Sequence, residues 1–191
     1  MLSDFCINKL IKYNVIQERE KELYIYGIHQ SLIIIQNVLI TIVIGAIFNN
    51  LWETLIFLTF YSALRSFAGG YHAINEFRCF IYSIFLLIMI QIYFDYVFEV
   101  ISKYTLVVTL VLSYIIYIKS PIQNRFNPLS KKERIYCKKV VRRILVVGVG
   151  IEIYSFVIHN IRTIMGISIA IYIVGGLMAL EKVKQYFIRN K

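Results

Sequence analysis

Charge is the first thing this chain lacks. Only 17% of its 191 residues are charged, against about 25% in a soluble domain. Proline occurs twice and glycine nine times. That excludes a proline-rich linker, a collagen-like chain and a glycine-rich flexible one. Cysteine occurs three times, as Cys6, Cys79 and Cys137. An odd and sparse set makes no disulfide framework, and no CxxC or paired Cys/His spacing suggests zinc. Neither a metal nor a cofactor is therefore expected. A secretory signal peptide is not expected either, because the first apolar run follows a charged stretch of more than twenty residues. There is no HExxH of a metalloprotease. The only aspartates, Asp4 and Asp95, form no mid-span pair, and the one Gly-x-Ser, Gly166-Ile167-Ser168, has no histidine on its own run.

What is present is apolar. Hydrophobic residues make up 59% of the chain, gathered into six runs: 28–48, 51–64, 80–98, 104–118, 144–158 and 164–180. A spanning helix needs about 20 residues. The second, fourth and fifth runs are shorter than that, so flanking residues must complete them or the second must be re-entrant. The expected fold class is all-α: a polytopic membrane protein with six transmembrane helices. Residues 1–27 read as an amphipathic arm at the membrane surface, with Leu2, Phe5, Cys6, Leu10 and Tyr13 on one face; a solvated helical arm fits the same pattern. Residues 28–191 form the membrane domain, with a less apolar segment at 65–79 and a basic loop at 119–143.

The net charge of +10 raises the question of nucleic acid. Six spans with both termini cytoplasmic place nineteen of the 21 Lys and Arg residues inside and two outside. This is the positive-inside bias, and it accounts for the charge without nucleic acid. The basic loop is then a natural contact for anionic membrane lipid. All three cysteines, His29 and His72 fall on the cytoplasmic side, and His159 falls outside.

The segment Arg65-Ser66-Phe67-Ala68-Gly69-Gly70-Tyr71-His72-Ala73-Ile74-Asn75-Glu76-Phe77-Arg78-Cys79 holds the only His and Cys close together in sequence. A cysteine nucleophile acts as its thiolate, and a nearby histidine can take the proton. Read blandly, such a Cys is a small buried hydrophobe. On one straight helix His72 and Cys79 would share a face but lie about 10.5 Å apart along the axis. Proton transfer needs a heavy-atom separation near 3 Å. A dyad therefore requires a break in the helix. Gly69-Gly70 supplies it, and Asn75 is a candidate N-cap with Glu76 in the first turn beyond it. Cys79 would then sit near the start of the third helix, with His72 in the loop before it.

Arg65-x3-Gly69-Gly70-x-His72-Ala73 followed by Cys79 resembles the signature of the accessory gene regulator protein B (AgrB) family of membrane cysteine endopeptidases, which process quorum-sensing propeptides. Ser120-Pro121 and Asn127-Pro128-Leu129 followed by Lys132-Glu133-Arg134 are similar to the family's basic loop, and the likeness covers nearly the whole chain. The resemblance implies that Cys79 is the nucleophile and His72 its base, with Arg65, Ser66, Gly69 and Gly70 in support. It implies a small AgrD-like propeptide as substrate, an acyl-thioester intermediate, a cyclic thiolactone or lactone product, a homodimer, and a bacterial cell membrane with the active site facing the cytoplasm.

Other residues have simpler readings. Cys6 and His29 form a rival pair with nothing in their spacing to enforce contact, and Cys137 is a spectator. Glu152, inside the fifth run, pairs with a basic residue, serves a subunit interface or lies nearer the membrane surface. Gly148, Gly150, Gly166, Gly175 and Gly176 permit close helix packing. Lys131 to Arg143 is an orientation signal or a dock for an acidic propeptide tail. The alternative of a different class is a non-enzymatic transporter or channel subunit.

Overall fold

In a computed structural model the structure describes residues 21–69, 76–122 and 130–189. These residues form six α-helices: α1 (Lys21–Ile47), α2 (Leu51–Ala68), α3 (Glu76–Ile92), α4 (Phe98–Lys119), α5 (Lys131–Val157) and α6 (Ile161–Arg189). No strand forms among them; the only extended pairing is an isolated bridge between Gly69 and Ile122. The all-α expectation holds. The chain divides within α1 into two compact units, residues 1–41 and 42–191. In the first, α1 starts by Lys21, inside the stretch assigned to the arm, and the arm residues 1–20 lie outside the described residues. Ser31 and Thr41 each donate their hydroxyl to the carbonyl four residues back, Gly27 at 2.8 Å and Asn37 at 2.7 Å. An apolar helix tolerates these residues in this way, because the polar group is satisfied internally.

In the second unit the turns are built alike. Asn49 adopts the left-handed conformation (φ 58°). Its N–H donates to the carbonyl of Ala46, and the Asn50 N–H reaches back to Gly45 at 2.9 Å. At the end of α5 His159 does the same (φ 55°), with the His159 N–H on the Phe156 carbonyl and the Asn160 N–H on Ser155 at 2.8 Å. Both are Schellman closures, with a polar residue where glycine is commoner. Asn160 also starts α6, its side-chain oxygen accepting from the Thr163 N–H at 3.3 Å.

Side-chain bonds fix which ends of the helices share a side. Asn50 donates to Asp95 at 2.7 Å, and Arg162 lies 3.4 Å from Glu53. The 49–50 turn, Asp95 and the 158–160 turn therefore gather at one end. At the other, the Ile122 N–H donates to the Ala68 carbonyl at 3.0 Å, and the Phe67 and Tyr136 rings meet edge to face at 6.3 Å. α2 packs most extensively on α6, with α4 and α5 completing the cluster. Its buried centre includes Leu64, Ile116, Val141, Leu145, Ile167 and Ile171.

Three expectations need correcting. The break expected at 95–104, between the third and fourth runs, is not a loop, although the chain reverses direction there, as Asp95 on Asn50 and Ile122 on Ala68 require. A π-helical turn, Tyr93–Val97, leads directly from α3 into α4. No Gly or Pro interrupts this stretch, and the reversal is made within helical backbone at the π-helical turn. The basic loop is shorter than expected, because Lys131–Arg143 is the first half of α5. Ser130 caps it: the Ser130 hydroxyl accepts from the Glu133 N–H, while the Ser130 N–H donates to the Glu133 carboxylate at 2.8 Å. Finally, two described segments rather than six are long and apolar enough alone to cross a membrane, Tyr24–Ile47 and Ile161–Phe187; Phe80–Tyr96 and Tyr104–Lys119 are apolar but shorter. Glu53 and Arg65 in α2, and the Lys/Arg-rich first half of α5, dilute the other helices.

Close approach needs glycine at Gly166, where a Cβ would sit 2.8 Å from the Glu53 carbonyl oxygen and equally close to Ile56. Gly150 has nothing within 4 Å. Gly166→Ala should therefore lower the thermal midpoint in detergent, by the equivalent of about 1–3 kcal/mol. Gly150→Ala should leave it unchanged or raise it, by up to about 1 kcal/mol from helix propensity. A reversed order would contradict the packing. The Glu133 carboxyl is held below its ordinary range, first by the Ser130 backbone N–H and then by the Ser130 hydroxyl. A lowered carboxyl stabilises the fold above its ordinary range, and that contribution fades as pH falls through the lowered value. The protection factors of the first-turn amides of α5, that is, exchange corrected for its intrinsic pH dependence, should fall on acidification in the native chain and stay level in Glu133→Gln.

Candidate functional site

Helix α2 ends at Ala68 and α3 begins at Glu76, so the segment from Arg65 to Cys79 is not one continuous helix. This is the condition the dyad required. Gly70, His72, Asn75 and Cys6 lie outside the described residues, as does the Cys79 side chain. The Cys79 backbone is in the first turn of α3.

The point where the chain leaves α2 is closely held. Gly69 has φ +74°, a conformation costly for any residue with a Cβ. A Cβ there would also collide with the Ile122 carbonyl oxygen. Two successive carbonyls are occupied. Ala68 accepts from the Ile122 N–H at 3.0 Å, and Gly69 accepts from Arg65 Nη1 at 2.7 Å. The guanidinium so placed satisfies a carbonyl that the helix end leaves open, and its charge suits the negative end of the dipole. Arg65 and Gly69 thus act together, as a clamp on the chain entering the His72 segment. Ser66 is not part of it: its hydroxyl donates to the Ser62 carbonyl of its own helix at 2.8 Å.

The sequence reading missed the strap Ser120-Pro121-Ile122, which closes this corner through the bridge to Gly69. The Ser120–Pro121 peptide is cis. Ser120 is buried and its hydroxyl has no partner. The basic half of α5 borders the same corner. Tyr136 touches Phe67, and the Arg142 guanidinium lies over the Tyr117 ring, 4.3 Å from its centroid. Lys131, Lys132, Arg134, Lys138, Lys139 and Arg143 add positive charge to that stretch, a surface suited to an acidic peptide. Cys137 is a half-buried free thiol there.

A second polar group lies elsewhere. Glu152 is fully buried and meets Ser168 at 2.6 Å, not the basic residue expected as one alternative. Among the described residues no three His, Cys, Asp or Glu side chains converge as metal ligands. A groove of about 410 Å³ between α4 and α5 is lined mainly by apolar groups, among them Tyr114, Val146 and Val149, and offers no reactive side chain. Gly148 and Gly166 do allow close packing, whereas Gly150 and Gly176 face open space.

Comparison with known proteins bears on both the fold and the clamp. The chain is 27% identical over 165 residues to an AgrB-like protein of Clostridium perfringens strain SM101, covering 80% of this chain and 77% of the relative. It is 28% identical over the same length to a second AgrB-like protein, from Clostridium perfringens strain 13, with the same coverage. No solved structure matches. The accessory gene regulator B family pattern matches residues 3–180, spanning the clamp, the His72–Cys79 segment and the basic half of α5. The chain therefore belongs to the AgrB family, a membership that points to a role in autoinducer peptide processing.

Proposed function

We propose that this protein is a membrane-embedded cysteine endopeptidase that cleaves a quorum-sensing propeptide on the cytoplasmic side of the bacterial cell membrane. The observation that carries the reading is the clamped helix break between Ala68 and Glu76. It separates the His72 segment from α2 and sets Cys79 in the first turn of a new helix. The start of a helix favours a thiolate, and the first-turn amides of α3, Glu76 to Arg78, have no acceptor within the helix. Those amides are the candidate donors for the oxyanion of an attacked carbonyl.

The chemistry follows from these parts. His72 takes the Cys79 proton, and the thiolate adds to the scissile carbonyl carbon. The C–N bond breaks, the leaving amine takes the proton from His72, and the C-terminal fragment departs. The acyl group remains on Cys79 as a thioester. A thiol or hydroxyl of the same propeptide then attacks, giving its proton to His72, expelling the Cys79 thiolate and closing a thiolactone or lactone. A thioester keeps the acyl group activated, so this step calls for neither ATP nor metal. The cationic half of α5 is the dock for the acidic part of the propeptide.

The membrane reading joins to this one. The described surface is rich in exposed large apolar side chains, such as Phe85, Val107, Val146 and Val157, while Glu152, Gln91, Thr54, Thr109 and Ser168 are buried. Apolar groups outside and polar groups inside suit a lipid solvent. Exposed Trp52, Tyr96 and Tyr154 mark the end bearing the tight turns, and exposed Tyr136 and Tyr186 the other. Tyr136 and Tyr154 are separated by about 27 Å of helix, close to the roughly 30 Å hydrocarbon thickness between aromatic belts. We read six crossings, both termini cytoplasmic, anionic lipid at the basic face and a homodimer as the working assembly.

Purified protein in lipid, given the propeptide encoded beside it, should form an acyl adduct on Cys79 and release the C-terminal fragment. Cys79→Ala and His72→Ala should abolish both by mass spectrometry, a loss of at least about 10²-fold. Fragment release that survives Cys79→Ala would refute the nucleophile and favour Cys6. Gly69→Ala and Arg65→Ala should cut the rate of release while the chain still inserts, since both loosen the clamp. An unchanged rate in both would sever the clamp from catalysis.

A further inference from the structure

Glu152 is used by none of this chemistry, yet its surroundings are specific. It lies on the buried face of α5 with Gly148 and Ser155, about 7.5 Å from the helix end by rise per residue. An ionisable group at membrane depth with no ionic partner is costly to keep, and such residues are commonly functional. No Lys, Arg or His of the described residues forms an ion pair with it. Oε1 lies 2.6 Å from the Ser168 hydroxyl, and Oε2 has no hydrogen-bond partner among the described residues.

Counting hydrogens shows how little there is to stabilise a charged carboxylate. A serine hydroxyl has one proton. The Ser168 oxygen lies 2.7 Å from the Ile164 carbonyl, which can only accept. The single Ser168 proton is therefore shared between that carbonyl and the Glu152 oxygen at 2.6 Å. A protonated carboxyl adds a hydrogen to this short contact, which a carboxylate cannot do. The neighbouring hydroxyls bond largely among themselves. Thr109 donates to the Thr105 carbonyl at 2.9 Å. The Tyr172 hydroxyl donates to that same carbonyl at 3.1 Å and accepts from Thr109 at 3.2 Å.

We propose that Glu152, with Ser168 and the Thr109–Tyr172 hydroxyls, is an intramembrane proton-binding site that exchanges its proton with water at the turn-bearing end of the helices. The proton leaves the carboxyl for water as hydronium and returns the same way, with no other co-reactant. The exit is short: Ser155 lies one turn further along the buried face, and the exposed His159 follows at the turn. The titratable groups around the site are Tyr172 on α6 and Tyr93 on the π-helical turn. α2 brings Glu53 to this end, already paired with Arg162 at 3.4 Å; α4 brings the hydroxyls of Thr105 and Thr109, and its Glu99 and Lys103 side chains lie outside the described residues. The proposal rests on α5 crossing the bilayer and is independent of the chemistry at Cys79.

Dicyclohexylcarbodiimide tests it directly, because this apolar reagent adds to protonated carboxylic acids inside membranes. The wild-type chain in liposomes would be labelled across a pH series with and without sodium, and adducts mapped by mass spectrometry. The expected result is an adduct on Glu152 whose rate falls as pH rises, approaching about tenfold per pH unit at the alkaline end, and which sodium does not alter at fixed pH. Glu152→Gln should lose that adduct alone. Labelling at a rate independent of pH would show a proton that does not exchange and overturn the proposal. So would no adduct at any pH. Protection by sodium would replace the proton with a metal cation as the ligand. The primary readout is on the native chain, so no variant's folding enters it.

Discussion

The close approach of Gly69 to Ile122 is the constraint on which the rest of the candidate site depends. The two meet backbone to backbone, and no side chain fits beneath the Ile122 carbonyl. That contact fixes the end of α2 at Ala68, where the glycine pair already disfavours helix. It also ties the helix end to the strap that leads from α4 toward the basic half of α5. The two regions of AgrB resemblance, one around Arg65 to Cys79 and the other around Ser120 to Arg134, become one corner of the structure. Arg65 then has a physical role: it holds the carbonyl of the glycine on which the corner turns.

The polarity of the molecule is arranged to the same end. The tight turns at 49–50 and 158–160 need little more than two left-handed residues and two pairs of backbone hydrogen bonds. The end with the clamp carries longer connections and the cationic half of α5. Apolar side chains cover the outside, and hydroxyl, amide and carboxyl groups are buried within. A soluble protein would reverse this. In lipid it leaves helix association to close packing at glycines such as Gly166 and to internal bonds such as Gln91 to Thr54 at 3.0 Å.

Much of this was legible in the residues. Gly69-Gly70 marked the break, and the helix does stop there. The Asn49-Asn50 pair marked a turn correctly, because asparagine tolerates the left-handed region. His159 in the same role left no comparable mark. Ser130-x-x-Glu133 is a capping box in plain sequence, but the density of Lys and Arg beyond it made the stretch read as loop. The gap between the third and fourth runs marked a reversal, but nothing in its residues announced that a π-helical turn would make it. The bridge between Gly69 and Ile122 pairs residues far apart in the chain and depends on backbone groups, which carry no sequence signal. The same is true of Ser168 as the partner of Glu152, since helix periodicity does not say which faces meet.

The account's central claim is that the clamp at Gly69 sets the reactive geometry at Cys79. The most direct test is the relative rate at which iodoacetamide captures two thiols of the same molecule in lipid at neutral pH. Cys137, half-buried on α5, serves as the internal reference. The account predicts that Cys79 reacts faster than Cys137 in the native chain and that this lead disappears in Gly69→Ala, as it does in His72→Ala. A Cys79 to Cys137 rate ratio that is the same in all three chains would contradict it.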